Sequence, residues 1–80
     1  MWTVYAIKSL YRNYIYVGLT NNLERRVSEH NKGYNKKTKP YLPFTLLHSE
    51  VFPSREEARK REKQLKSGSG KEFLKRSLDK

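Results

Sequence analysis

Two rhythms of hydrophobic and polar residues organise this chain. WTVYAIK is dense in β-branched and aromatic residues and predicts a strand over residues 2–8. SLYRN, at 9–13, makes a polar hairpin connection, and YIYVG at 14–18 returns as a second strand. With a period of two, Tyr14, Tyr16 and Gly18 share one face of that strand, and Ile15 and Val17 the other. Gly18 lets another group approach the backbone closely where the strand ends. Beyond Thr-Asn-Asn the rhythm lengthens to that of a helix, predicted over about 22–32, with Asn21 and Glu24 as a capping pair and Gly33 as the stop. FTLLHSEVF predicts a third strand over 44–52. Ser54 and Glu57 then open a helix over about 55–67; Gly68 ends it, and Ser69 with Glu72 opens a short helix through Leu78. Eighty residues make one domain, 1–80, small enough to bury only about 60% of its chain surface on folding.

The helical rhythm carries polar residues where it should be apolar. Counting about 100° per residue from Leu23, Val27 falls at about 40°, Arg26 at about −60° and His30 at about −20°. All three share one stripe, while Glu24, Arg25, Ser28 and Glu29 point elsewhere. The later helix repeats the anomaly: from Ala58, Leu65 lies at about −20°, Glu62 at about +40° and Arg61 at about −60°. Glu56 and Glu57 sit in the first turn, where the helix dipole accounts for them. Glu62 is therefore this helix's one acid turned toward its apolar side, a costly position unless the carboxylate is paired or coordinates a metal. Each residue alone has an ordinary explanation. Arg26 and Glu62 could pair across the two helices, and His30 could sit half-buried near its helix end. A tyrosine-rich hairpin, an Arg/His helix face and a lone inward acid together are harder to explain that way.

Charge sharpens the picture. Eighteen Lys and Arg against eight Asp and Glu give a net charge of +10. The excess is concentrated in residues 23–43 and again in 54–80. A polyanionic partner follows, nucleic acid ahead of an anionic membrane surface or simple solubility, because aromatics are interleaved with the charge. The segment YNKKTKPYLP at 34–43 is long for a connection in a compact domain, and its Lys36, Lys37 and Lys39 should bind phosphates while Tyr34 and Tyr41 stack on exposed bases. The absence of cysteine removes disulfides and thiolate zinc sites. No apolar run is long enough to span a bilayer, and MWTVYAIKS lacks the order of a signal peptide. The expectation is a cytoplasmic protein with no membrane association.

These residues resemble the GIY-YIG nuclease superfamily, in particular its short stand-alone bacterial members, over roughly 2–76. Tyr16-Val17-Gly18 keeps the second half of the family's signature. Thr3-Val4-Tyr5 keeps the tyrosine of the first half without its glycine, at the family's spacing of about ten residues from tyrosine to tyrosine. Arg26 and His30 match an arginine and histidine four apart on the first helix, and Glu62 within AxxxEKQLK matches the metal-binding glutamate. The tail LKSGSGKEFLK also resembles the short members; the family's frequent late asparagine has no counterpart in 63–80.

The resemblance implies an α+β fold: a small three-stranded antiparallel sheet flanked by helices, in the order β-β-α-β-α-α, with the site on a sheet face. It implies a metal-dependent endonuclease that hydrolyses phosphodiesters in DNA, with RNA left open. A single divalent cation, Mg²⁺ or Mn²⁺, would be anchored by Glu62. Arg26 would donate paired hydrogen bonds to the phosphorane oxygens, which lysine cannot reproduce. Tyr16 is the first choice for the base and Tyr5 the second. His30 would hold the tyrosine's proton or contact the phosphate, and Gly18 would shape the site. With no DNA-reading domain in the 80 residues, direction by substrate structure or a separate targeting protein is expected, in repair, recombination or DNA processing. Two other classes stand beside it: a basic nucleic-acid-binding module with a vestigial site, and a ribosome- or partner-associated basic protein.

Overall fold

The computed structural model describes residues 1–78. Two strands, β1 (Trp2–Ser9) and β2 (Ile15–Thr20), form the hairpin; α1 (Leu23–Asn31), a short 3₁₀ turn (Lys39–Tyr41), β3 (Phe44–Phe52), α2 (Arg55–Lys66) and α3 (Gly68–Leu78) follow. The strands make one antiparallel sheet in the order β2-β1-β3. This is the α+β architecture, β-β-α-β-α-α, that the sequence suggests.

The central position of β1 explains its nearly unbroken apolar run, because both of its faces are covered. Val4 and Ala6 meet Val17 of β2 and, from the helices, Ala58, Leu65 and Leu74. Tyr5 and Ile7 point to the opposite face, where Phe44 is buried with them and Leu23 and Val27 of α1 pack alongside. The alternation expected for β2 is present: Tyr14 and Tyr16 pack on the α1 side, Ile15 and Val17 on the α2–α3 side. Opposite β3, the register shifts between Ala6 and Ile7, so that Ala6 faces His48 but Ile7 faces Leu46.

Several boundaries move by a residue or two for identifiable reasons. The α1 cap is Asn22, not Asn21: its Oδ1 accepts from the Arg25 backbone N–H at 3.1 Å. Thr20 Oγ1 meanwhile accepts from the Asn22 N–H at 3.1 Å, which draws β2 on past Gly18 to Thr20. Ser54 caps α2 as expected, accepting from Glu57 N–H at 3.3 Å. Gly68 and Ser69 begin α3 rather than precede it, and the Ser67 hydroxyl receives the Gly70 N–H at 3.3 Å. Gly70 is fixed by sterics. A Cβ there would collide with the Gln64 carbonyl and the Leu65 backbone, so only glycine lets α3 start this close to α2.

Candidate active site

The tyrosine of β1 organises the α1 side of the sheet. Tyr5 pairs across β2 with Gly18, and its ring lies over that glycine: a Cβ at Gly18 would overlap the Tyr5 hydroxyl, Cζ and Cε1. The close approach expected at Gly18 is thus made by the protein's own phenol. Tyr5 is 1% exposed, and its hydroxyl lies 3.0 Å from His30 Nε2.

His30 is fully buried, not half-buried at a helix end. Its other ring nitrogen, Nδ1, lies 2.9 Å from the Thr38 hydroxyl, which in turn donates to the Asn35 carbonyl at 3.4 Å. With the threonine proton committed to that carbonyl, Thr38 Oγ1 accepts from Nδ1–H. Nε2 is then a bare lone pair and accepts from Tyr5. The hydrogen bonds therefore assign a neutral imidazole. Burial agrees with this, pushing the His30 pKa below its ordinary value, and the Arg26 charge pushes the same way against a smaller opposing effect of Glu29.

Burial also raises the Tyr5 pKa to about 12, against the lowering effect of Arg26 and with small raising contributions from Tyr16 and Glu62. Tyr5 is a phenol here and a poor candidate for a base. Tyr16 stands beside it, half-buried, its ring centroid 6.3 Å from that of Tyr5 and 4.9 Å from that of His30.

Arg26 lies between core and solvent. Its interaction with the Tyr5 hydroxyl is the largest influence holding its pKa above the ordinary value, with burial opposing and Tyr5, Glu29 and Tyr16 contributing. Glu29 pairs with it at 3.3 Å, and 39% of the side chain remains exposed. The cross-helix pair with Glu62 does not form among the described residues. Arg61, the other inward arginine, belongs elsewhere: its Nε donates to both oxygens of Glu50 on β3, at 3.1 and 2.9 Å. Burial alone would raise the Glu50 pKa, but hydrogen bonds from His48 and Arg61 outweigh it and lower it.

Glu62 arrives from α2, which packs on the opposite face of the sheet from α1. The site therefore does not lie on one sheet face alone. Glu62 is 8% exposed, with Lys66 Nζ at 3.5 Å and Arg59 Nε at 3.8 Å on its own helix. Its charge is nevertheless felt at Tyr5. Among the described residues no three His, Asp or Glu side chains form a metal-binding group. Glu62 alone fits the kind of site in which Mg²⁺ keeps most of its waters and uses one or two carboxylates plus substrate phosphate.

The segment 34–43 is ordered and tethered from below. Thr38 is fully buried against His30; the Ser9 hydroxyl donates to the Tyr41 carbonyl at 2.6 Å; Asn31 exchanges two hydrogen bonds with the Phe44 backbone. Lys36, Lys37 and Lys39 stay in solvent, and Tyr34 is 71% exposed. Tyr41 is half-buried. Its ring stacks on Tyr14, centroids 3.9 Å apart and planes 7° from parallel, so one of its faces is taken up in bracing the segment. Thr38 is the residue that sequence reasoning missed. The only signal is negative: it is the one short side chain in Lys-Lys-Thr-Lys.

Comparison with known proteins gives the family. Residues 1–76 match the family profile of the GIY-YIG catalytic domain. The UPF0213 protein SH2523 of Staphylococcus haemolyticus is 40% identical over 73 residues, spanning 90% of this chain and 88% of that one. The UPF0213 protein VNG_2274C of Halobacterium salinarum is 43% identical over 67 residues, 82% of this chain and 86% of its own. The solution NMR structure of the UPF0213 protein BH0048 from Bacillus halodurans superimposes with a TM-score of 0.53 at 34% identity, covering 92% of this chain and 82% of that one.

Proposed function

Because this chain belongs to the GIY-YIG family, a family of nuclease domains, we propose that it is a divalent-metal-dependent endonuclease acting on DNA, with Tyr16, Arg26 and Glu62 at the reacting phosphate. One observation carries the reading: Glu62 is a carboxylate 8% exposed on α2 whose ion-pair partners, Lys66 and Arg59, are themselves more than half exposed at 3.5 and 3.8 Å. A binding surface has no use for that carboxylate.

A phosphodiester repels an incoming nucleophile, so its charge must be offset and a water activated. Arg26, 39% exposed and held by Glu29 at 3.3 Å, would clamp two phosphoryl oxygens with its guanidinium. Tyr16 is the proposed base: as a phenolate, its own proton already released to solvent, it would take the attacking water's proton. Tyr5, held as a phenol by burial and by His30, orients Arg26 and does not titrate in the reaction. His30 and Thr38 hold Tyr5 in turn and touch nothing that reacts. Glu62 would hold the Mg²⁺ or Mn²⁺, which when bound supplies positive charge to the phosphoryl group and the departing 3′ oxygen. Lys36, Lys37, Lys39 and Tyr34 would steer the substrate through phosphates and stacking. Contacts of that kind read shape, so direction by substrate structure or a targeting protein, in repair, recombination or processing, completes the proposal.

One observation favours a binding-only module: Lys66 and Arg59 could neutralise Glu62 without a metal. The two readings separate by adding Mn²⁺ to the ¹⁵N-labelled protein with a phosphorothioate oligonucleotide bound. Paramagnetic broadening centred on residues 58–66 and 16–18, lost in Glu62→Gln, supports the nuclease. Broadening that is absent, or that persists in Glu62→Gln, overturns the metal site.

A further inference from the structure

The connection between β1 and β2 is a feature that the proposed chemistry leaves unused. It runs through residues 10–14 without a glycine and without a positive φ. Hydrogen bonds tie it down from several directions. The buried Ser9 hydroxyl donates to the Tyr41 carbonyl and accepts from the Arg12 N–H at 3.1 Å. Lys8 Nζ donates to the Ser9 carbonyl at 2.7 Å and to the Arg12 carbonyl. Tyr14 N–H donates to the Arg12 carbonyl at 2.9 Å, and Leu10 N–H to the Pro43 carbonyl at 3.0 Å.

Turns ordinarily carry Gly, Pro, Asn, Asp or Ser at their tips. This one holds two large apolar side chains, Leu10 and Tyr11, out in solvent. Tyr11 is 82% exposed, more than any other aromatic residue among those described. Neither side chain belongs to the two core clusters, so packing of the fold does not account for them.

Charge selects what the tip would meet. Residues 1–23 contain no Asp or Glu, and neither do residues 30–49. These stretches hold Lys8, Arg12, Lys32, Lys36, Lys37 and Lys39, none of them in an ion pair among the described residues. The Ser9–Tyr41 and Leu10–Pro43 hydrogen bonds join the two stretches, so the tip stands beside the 3₁₀ turn that carries Lys39. An apolar pair among unpaired cations suits a polyanion that also offers flat apolar faces, which is a nucleic acid. In a continuous duplex those faces are stacked on one another, and a side chain must unstack them to reach one. Where a duplex branches or ends, a face is already open. Tyr11 and Tyr16 are five residues apart, which keeps the tip within about 18 Å of the proposed base, about five base-pair steps along one strand.

We propose that the Leu10–Tyr11 tip stacks on the open base face where a DNA duplex branches or ends, and so favours such structures over continuous duplex. The proposal deepens the nuclease reading and rests on its nucleic-acid partner, not on cleavage. An acidic protein is the competing occupant.

The test is metal-free binding. A three-way DNA junction carries 2-aminopurine either at the branch or in the middle of an arm, where its fluorescence reports stacking. It is titrated with wild type, Tyr11→Ala and Tyr11→Phe, and a relaxed closed-circular duplex serves as the DNA without branch or end. Wild type should change the fluorescence at the branch and not in the arm. Tyr11→Ala should lose that change and bind the junction about five- to a hundredfold more weakly, the worth of one stacked base, with Tyr11→Phe near wild type. All three proteins should bind the closed circle alike and melt alike. A Tyr11→Ala protein equal to wild type on the junction would overturn the proposal and leave the tip to a protein partner. An equal loss on the closed circle would overturn it too, since a general contact gives that result. Cleavage assays keep the two proposals distinct. Flap cleavage by wild type, with junction affinity unchanged in Tyr11→Ala, retains the nuclease and loses the tip. Stacking at the branch without any cleavage does the reverse.

Discussion

Replacing Gly18 with alanine should damage the protein through one other residue. The new Cβ would fall inside contact distance of three Tyr5 ring atoms, including the hydroxyl. The Tyr5 ring cannot swing aside, because it is 1% exposed and bound to the equally buried His30 at 3.0 Å. Overpacking of this kind costs about 1–3 kcal/mol, and losing the Tyr5–His30 bond adds about 1 kcal/mol. The sum, about 2–4 kcal/mol, is a large part of the roughly 4–12 kcal/mol available to a domain of this length. Urea unfolding followed by circular dichroism reads it directly, and the melting temperature should drop by roughly 4–8 °C per kcal/mol. Tyr5→Leu lacks the three colliding atoms. In that background Gly18→Ala should cost under about 1 kcal/mol, the remainder appearing as coupling energy. Equal costs in the two backgrounds would refute the steric argument, as would a wild-type-like Gly18→Ala.

The buried relay makes further claims. Thr38→Val keeps the shape but strands the His30 Nδ1–H, so stability should fall by about 1–3 kcal/mol in urea titrations, and the ¹⁵N shifts of His30 should lose the signature of a single tautomer. Tyr5 holds its proton in the folded state up to a pKa of about 12, against 10 when unfolded. Its contribution is complete below pH 10 and is lost as pH rises toward 12, about 2–3 kcal/mol in all. Tyr5→Phe, compared with wild type by chemical denaturation over that window, should lack this slope. His30 has the opposite sign. Its folded pKa lies below the ordinary 6.5, so the unfolded chain takes up a proton first and stability declines as pH falls below about 6.5. A His30→Gln protein should show a flatter acid limb, and an unchanged limb would assign the decline elsewhere.

The elements set by local chemistry were legible in the sequence. β3 runs over the predicted residues, and Ser54 caps α2, because a β-branched and aromatic run and a serine before a helix act on their own neighbours. Helical periodicity also found the inward His30 and Glu62, since one angle per residue decides which face a side chain occupies. What periodicity could not give was the partner. Arg61 has the same angular offset as Arg26, yet one arginine binds Glu50 of β3 and the other interacts with Tyr5. Thr38 and Tyr41 depend on contacts between segments distant in the chain, and nothing in their local pattern encodes those contacts. The choice between Asn21 and Asn22 as cap turned on the Thr20 hydroxyl, a competition between adjacent residues of similar propensity.

The central claim is that Glu62 serves chemistry and not the fold. Its most direct measurement is the single-turnover cleavage of a 5′-labelled flap substrate with Mn²⁺, run on wild type and on Glu62→Gln purified in parallel. Wild type should cleave and stop with EDTA, and Glu62→Gln should lose at least a hundredfold while its melting temperature and flap affinity stay near wild type. Equal cleavage by both proteins, or none by either with tight binding intact, would contradict it.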